Sequence, residues 1–200
     1  LTSEYLVVVV PANSPHRTMA DLVAAFKADP GKVSWHGGSA GGSDHILAGL
    51  IAKAVGGDPA KVHYVAAKGG GDQVANIVGG HVTAGIAGLG EFAEHIKGGR
   101  MRALAVSAPA KQDGIPALKE QGIDVVLGNW RGIFGAPGIT TAQRDALINA
   151  IKAGTESAAW KDSLAKHGWE PVFLAGDAYK AFVEEDTKRI TGILESLGLK

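Results

Sequence analysis

Two kinds of apolar run alternate along the first two-thirds of this chain. Tyr5 to Val10 is continuous and rich in valine, the pattern of a strand buried on both faces. Thr18-Met19-Ala20-Asp21 then resembles a capping box with Asp in place of Glu. Met19, Leu22, Val23 and Phe26 follow at helical spacing, and Asp29-Pro30-Gly31 stops the helix. Val33 to Trp35 is β-prone and runs into a glycine-rich loop. Ile46, Leu47, Leu50, Ile51 and Ala54 then repeat at helical spacing as far as Gly56-Gly57. The alternation continues with a strand over Val62 to Val65, a helix over Gln73 to Val78 and a strand over Val82 to Ile86. A helix over Glu91 to Lys97, a strand over Arg102 to Val106, a short helix over Pro116 to Gln121 and an extended piece over Val125 to Leu127 complete it. Strands separated by helices predict an α/β fold with a parallel or mixed sheet.

After Asn129-Trp130-Arg131-Gly132 the pattern changes. Thr140-Thr141-Ala142-Gln143 can cap a helix carrying Leu147, Ile148 and Ile151, and a second helix holds Trp160 and Leu164. Trp169 to Leu174 reads as extended, with no obvious partner strand. Asp177 is placed to cap a long last helix with Tyr179, Phe182, Val183, Ile190, Ile193, Leu194 and Leu197 on one face. The division expected is therefore an α/β lobe over 1–128 and a crossover with helices over 129–200 that belongs to another lobe. Those helices carry more large apolar groups than water tolerates, so self-association of the chain is expected unless something covers them.

Composition narrows the function. Lys plus Arg equals Asp plus Glu at 20 each, so a broad nucleic-acid or membrane-surface footprint is not expected. Cysteine is absent, which excludes disulfides and thiolate chemistry in these 200 residues. No apolar run approaches the roughly 20 residues of a membrane-spanning helix. Leu1-Thr2-Ser3-Glu4 is not a signal peptide, and a strand begins almost at once, as it would in the middle of a longer chain. The 29 glycines gather at the ends of apolar runs and so read as loop chemistry.

The richest loop is Gly37-Gly38-Ser39-Ala40-Gly41-Gly42-Ser43, between a strand and a helix that opens with Asp44 and His45. Glycines let backbone N–H groups approach a ligand, and a helix N-terminus leaves its first N–H groups unpaired, so a small anion is expected here. Lys68-Gly69-Gly70-Gly71 and Gly88-Leu89-Gly90 also follow strands. On an α/β sheet such loops share one edge and would form three walls of one site. Lys68 either pairs with a ligand carboxylate or is a solvated surface lysine. Trp130 and Arg131 either line a cleft or anchor a crossover strand. His45 is either a ligand contact or a packing residue bonded to nearby backbone.

Gly37-Gly38-Ser39-Ala40-Gly41 also fits the G-x-S-x-G pattern of a serine hydrolase, with Ser39 as nucleophile and Asp124 and His167 following in chain order. Against this, the loop runs on beyond Ser39 before a good cap at Ser43, whereas a nucleophile elbow turns directly into its helix. Ser43-Asp44-His45 are consecutive and point about 100° apart on a helix, so they cannot relay a proton among themselves. The seven histidines form no metal-binding spacing, and no phosphate-loop or dinucleotide fingerprint is present, so neither metal nor cofactor is expected. Nothing resembles a DNA-binding module, which leaves a transcription-factor effector domain as a third reading without support.

The chain resembles the solute-binding component of tripartite tricarboxylate transporters, the Bug family of periplasmic receptors. The stretches that carry the likeness are Gly37 to His45, Gly69-Gly70-Gly71, Gly79-Gly80-His81-Val82, Gly90-Glu91-Phe92, Arg102 to Ser107, Leu118-Lys119-Glu120-Gln121-Gly122 and Asn129-Trp130-Arg131-Gly132, in family order. The resemblance implies a type II periplasmic-binding-protein-like fold of two α/β lobes around a cleft. It further implies a periplasmic location, a tri- or dicarboxylate ligand held largely by backbone groups and water, delivery to membrane subunits, and no catalysis. The family carries further chain before the point where this one starts, so one lobe is expected complete and the other only in part. Lys68 and Ala87 stand where related sequences often carry a small polar residue, which bears on which carboxylate is held. On this reading the ligand contacts are Ser39, Ala40, Gly41, Gly42, Ser43, Asp44, His45, Lys68, Gly69, Gly70, Gly88, Leu89 and Trp130.

Overall fold

A computed structural model describes residues 1–199, which divide into two compact units. The first, a sheet unit, comprises Tyr5–Gly128 and Arg189–Lys200. The second, a helical unit, comprises Leu1–Glu4 and Asn129–Lys188. This differs at both ends from a division into 1–128 and 129–200. The first strand, β1 (Thr2–Pro11), begins in one unit and continues in the other. The last helix, α7 (Gly176–Ser196), ends with Ile193 and Leu197 buried in the sheet unit's core. The apolar face of that helix lapses at Asp186 and Thr187, beside the crossing, a gap too short to mark a boundary in an otherwise continuous helical pattern.

In the sheet unit β1 is followed by α1 (Met19–Ala28), β2 (Ser34–Gly37), α2 (Ser43–Ala54), β3 (His63–Ala66), α3 (Gly70–Val78), β4 (Ala84–Gly88), α4 (Leu89–Lys97) and β5 (Met101–Val106). The strand order is β3-β2-β4-β1-β5. β2 runs parallel to both β3 and β4, whereas β1 is antiparallel to β4 and β5, so the sheet is mixed. The interior position of β1, between β4 and β5, explains its unbroken run of valines. Leu6, Val8 and Val10 enter one apolar cluster with Met19, Leu22 and Phe26 of α1 and Leu47 and Ile51 of α2. Val7 and Val9, on the opposite face, enter another with Ile77 of α3 and Phe92 of α4.

α1 starts with the expected capping box, in which Thr18 and Asp21 exchange side-chain and backbone bonds. Two short pieces fall short of regular helix or strand. The Pro116 to Gln121 stretch forms only a 3₁₀ turn at Lys119–Gln121, and Val125 to Leu127 is not a strand. Extended pairing begins instead at β6 (Gly128–Arg131).

The helical unit holds α5 (Thr141–Glu156), α6 (Ala158–His167), the short β7 (Glu170–Pro171) and most of α7. β7 does have a partner, which is the start of β1: Thr2 faces Pro171 and Ser3 faces Glu170. α7 starts at Gly176, so Asp177 lies inside its first turn rather than at the cap. An apolar groove of about 700 Å³ opens in this unit, lined among others by Leu1, Ile133, Phe134, Leu147, Ile151 and Val183. No helix among the described residues is long and apolar enough to cross a membrane.

Candidate functional site

Three parallel strands end at one edge of the sheet unit, and each leads into a helix. β2 passes through residues 38–42 to α2, β3 through 67–69 to α3, and β4 directly into α4. The three glycine loops therefore share that edge, and three helix N-termini with it. Unpaired first-turn N–H groups and the positive ends of three helix dipoles make such an edge suited to an anion.

The 37–43 loop is held by side chains that do not belong to it. Gly38 N–H donates to Asp44 Oδ2 (2.7 Å), and Tyr64 Oη of β3 donates to Gly38 O (3.1 Å). Gly41 N–H donates to His45 Nδ1 (3.1 Å), and Gly42 N–H donates to Ser39 O (2.9 Å). Gly41 sits at φ +77°, the left-handed region that favours glycine. A Cβ on Gly42 would come within 2.9 Å of Ser39 O. The N–H groups of Ser39, Ala40 and Ser43 have no hydrogen-bond partner among the described residues, and Ser39 and Ala40 are exposed. α2 is capped by Gly42, with no side-chain cap, and not by Ser43, whose hydroxyl donates to Asp44 Oδ1 (3.3 Å). Ser43 is the first residue of α2, so it lies one position inside the cap.

The other sequence-derived candidates divide. Lys68, Gly69 and Gly70 are exposed on the β3–α3 loop. Lys68 N–H donates to Asp72 Oδ2 (3.0 Å), and its ammonium is in no ion pair among the described residues. Gly88 caps α4 and is buried, and the Leu89 side chain lies in the apolar cluster with Phe92. Trp130 belongs to the helical unit. Its ring packs edge-on against Tyr179 and Phe182, and its Nε1 donates to Asp186 Oδ2 (2.9 Å), so it anchors that unit's own packing.

Sequence reasoning missed the second rank of side chains. Tyr64 stacks face to face on His45, with ring centroids 4.1 Å apart and planes 9° apart. Burial, and then the Asp44 charge, push its hydroxyl well above the usual tyrosine range. His45 is buried, and that burial lowers its pKa below the usual 6.5. Behind the loops, His36 Nδ1 donates to Val65 O (2.7 Å), which fixes its tautomer and leaves Nε2 to accept from Asn76 Nδ2 (3.4 Å). Gln73 Nε2 donates to Ile86 O (2.6 Å), tying α3 to β4. These partners come together only once β2, β3 and β4 lie side by side, which no local spacing reveals.

Asp124 pairs with Lys119 (3.3 Å), His167 Nδ1 bonds Ser163 O (2.8 Å), and no base is hydrogen-bonded to Ser39 among the described residues. The described residues also include no group of three His, Asp or Glu able to hold a metal ion.

A family model described as "Tripartite tricarboxylate transporter family receptor" matches residues 1–199. The "UPF0065 protein in gbd 5'region" of Cupriavidus necator is 29% identical over 96% of this chain and 58% of its own length. Protein BugT of Bordetella pertussis is 29% identical over 90% and 55% respectively. The chain thus spans little more than half the length of these curated relatives. Among solved structures, Rpa4515 of R. palustris with adipate superposes at a TM-score of 0.82, with 19% identity, over 99% of this chain and 67% of that one. MatC of Rhodopseudomonas palustris with bound malate superposes at 0.78, with 16% identity, over 97% and 67%. At these identities the likeness establishes a shared fold.

Proposed function

We propose that this chain, which belongs to the tripartite tricarboxylate transporter receptor family, is the greater part of a periplasmic solute-binding receptor for a small di- or tricarboxylate. The observation that carries this reading is the edge of the sheet unit. Three helix N-termini converge there, and the exposed Ser39 and Ala40 present N–H groups that nothing in the described chain uses. A carboxylate accepts such N–H groups in charge-assisted bonds, roughly twice as strong as neutral ones. Ser39, Ala40, Gly41, Gly42 and Ser43 supply the principal contacts. Lys68, Gly69, Gly70 and the start of α4 at Gly88 and Leu89 supply the flanking walls. Asp44 and His45 act from behind the loop rather than on the ligand.

Adipate and malate in two proteins of the same fold support a dicarboxylate. The receptor would deliver its ligand to the membrane subunits of a tripartite transporter, without chemistry of its own. The relatives' greater length supports reading the helical unit as part of a second lobe, completed by chain outside this sequence. A thermal-shift screen of malate, adipate, citrate and aromatic acids tests the reading. An acid at a hundred times its Kd stabilises the native state by about 2.7 kcal/mol. No rise in Tm with any acid would remove the receptor reading, and labelling of Ser39 by a fluorophosphonate would favour the hydrolase.

A further inference from the structure

The loop that offers N–H groups to a ligand has two of its own N–H groups turned inward. Asp44 and His45, the second and third residues of α2, reach back past the cap and take Gly38 N–H and Gly41 N–H. This extends the logic of a capping box into the loop before the helix. The two bonds pin the residues on either side of Ser39 and Ala40, so those two N–H groups are the ones left to face outward. The pins are joined to each other. His45 lies flat on Tyr64, and Tyr64 Oη holds the carbonyl of Gly38.

His45 can accept the Gly41 N–H only while Nδ1 carries no proton. A proton there would set two donors against each other across 3.1 Å. The groups around the ring do little to ease that conflict. From α2 there is the Asp44 carboxylate, already bonded to Gly38 N–H and the Ser43 hydroxyl. From β3 there is Tyr64, uncharged at neutral pH. From the end of α7, the side chains nearest Gly41 are Leu194 and Leu199.

We infer that His45 is a positioning residue for the carboxylate loop, acting through a neutral ring whose Nδ1 holds Gly41, so that the chain loosens its grip on a carboxylate when this ring is protonated. The inference rests on the binding reading above, and it gives that site a regulation by pH. The lowered pKa of the buried ring keeps the holding form present into mildly acid solution.

The experiment combines an NMR titration of the 200-residue chain with calorimetric binding of malate and adipate to wild type, His45→Phe and His45→Asn. Phenylalanine keeps the stack on Tyr64 and loses the acceptor. Asparagine keeps an acceptor oxygen near the Nδ1 position and loses the stack. The expected result is a Gly41 amide signal that moves in step with the His45 ring nitrogens. Binding should be weaker by roughly fivefold in His45→Phe, the weight of one hydrogen bond, and near wild type in His45→Asn. Between pH 7.5 and 5, wild type should lose more affinity than His45→Asn, a comparison that cancels the ligand's own titration. A Gly41 amide indifferent to the ring, or His45→Phe binding like wild type while His45→Asn does not, overturns the inference. Malate and adipate leaving every amide of residues 37–43 unmoved overturns the binding reading and the ligand half of this inference. The coupling of ring to loop then stands or falls on the Gly41 titration alone.

Discussion

The two units of this chain use a similar proportion of apolar residues to opposite effect. In the sheet unit Trp35, Phe26, Phe92, Leu47 and Ile86 are almost fully buried on the two faces of the sheet. In the helical unit Leu164 is the one large apolar side chain that is buried among the described residues, while Ile133, Phe134, Leu147, Val172 and Leu174 are exposed. Sheet strands present two apolar faces that helices on both sides can cover. The helices α5, α6 and α7 have apolar stripes but only β6, β7 and the first residues of β1 for extended structure. One unit is therefore a finished core with three helix N-termini along one edge. The other is a set of amphipathic helices with an open apolar groove.

The sharpest break in this comparison would come from one substitution made in each unit. Phe26 is 1% exposed and packs edge-on against Trp35, and Phe134 is 67% exposed. Phe26→Ala should cost about 3–5 kcal/mol in denaturant unfolding, as for other buried aromatics. Phe134→Ala should fall within about 0.5 kcal/mol of wild type. Equal losses would mean that Phe134 is covered in solution, by a second copy of the chain or otherwise.

Hydrogen exchange sharpens the same contrast. Amides of β1, β4 and β5 should exchange only through global opening, and those of α5 and α6 through local opening at much smaller free energy. Sedimentation of the same sample reports whether the open groove draws two chains together. Uniformly slow exchange in a monomer would contradict the division into a finished and an open unit.

The smallest effect expected is a dependence of the sheet unit's stability on pH. The folded pKa of His45 lies below the unfolded value of 6.5, so the unfolded chain binds more protons between the two. Its contribution is whole above pH 6.5 and declines as pH falls from there toward the folded pKa. The folded pKa of Tyr64 lies above 10, so its contribution is whole below pH 10 and declines as pH rises. Thermal melts of wild type and His45→Asn across this range should converge at the acid end. Parallel curves would show that the His45 ring takes no part.

Much of the sheet unit was legible because its signals are local. The valine run of β1, the Thr18–Asp21 capping box and the strand–glycine loop–helix order of 33–54 each stand where the pattern placed them. The glycine loop was legible as the link between β2 and the start of α2 for the same reason. What escaped is what depends on distant chain. β7 pairs with Thr2 and Ser3, more than a hundred residues away. Ile193 and Leu197 continue the apolar stripe of α7 yet pack in the other unit. The roles of Tyr64, His36 and Gln73 follow from the parallel pairing of β2 with β3 and β4. Ser43 looked like a cap because serine commonly is one. The helix instead starts one residue earlier, with Gly42 at the cap.

The central claim is that the 37–43 loop holds a carboxylate through its main chain, and one calorimetric comparison tests it directly. Wild type and Gly41→Val would be titrated with whichever acid raises the melting point most. Valine at φ +77° forces the loop out of its present path while leaving the strands and helices around it in place. The result expected is saturable heat in wild type and none in Gly41→Val, with far-UV circular dichroism unchanged. Equal affinity in the two proteins would contradict the account and move the ligand, if the chain has one, away from this loop.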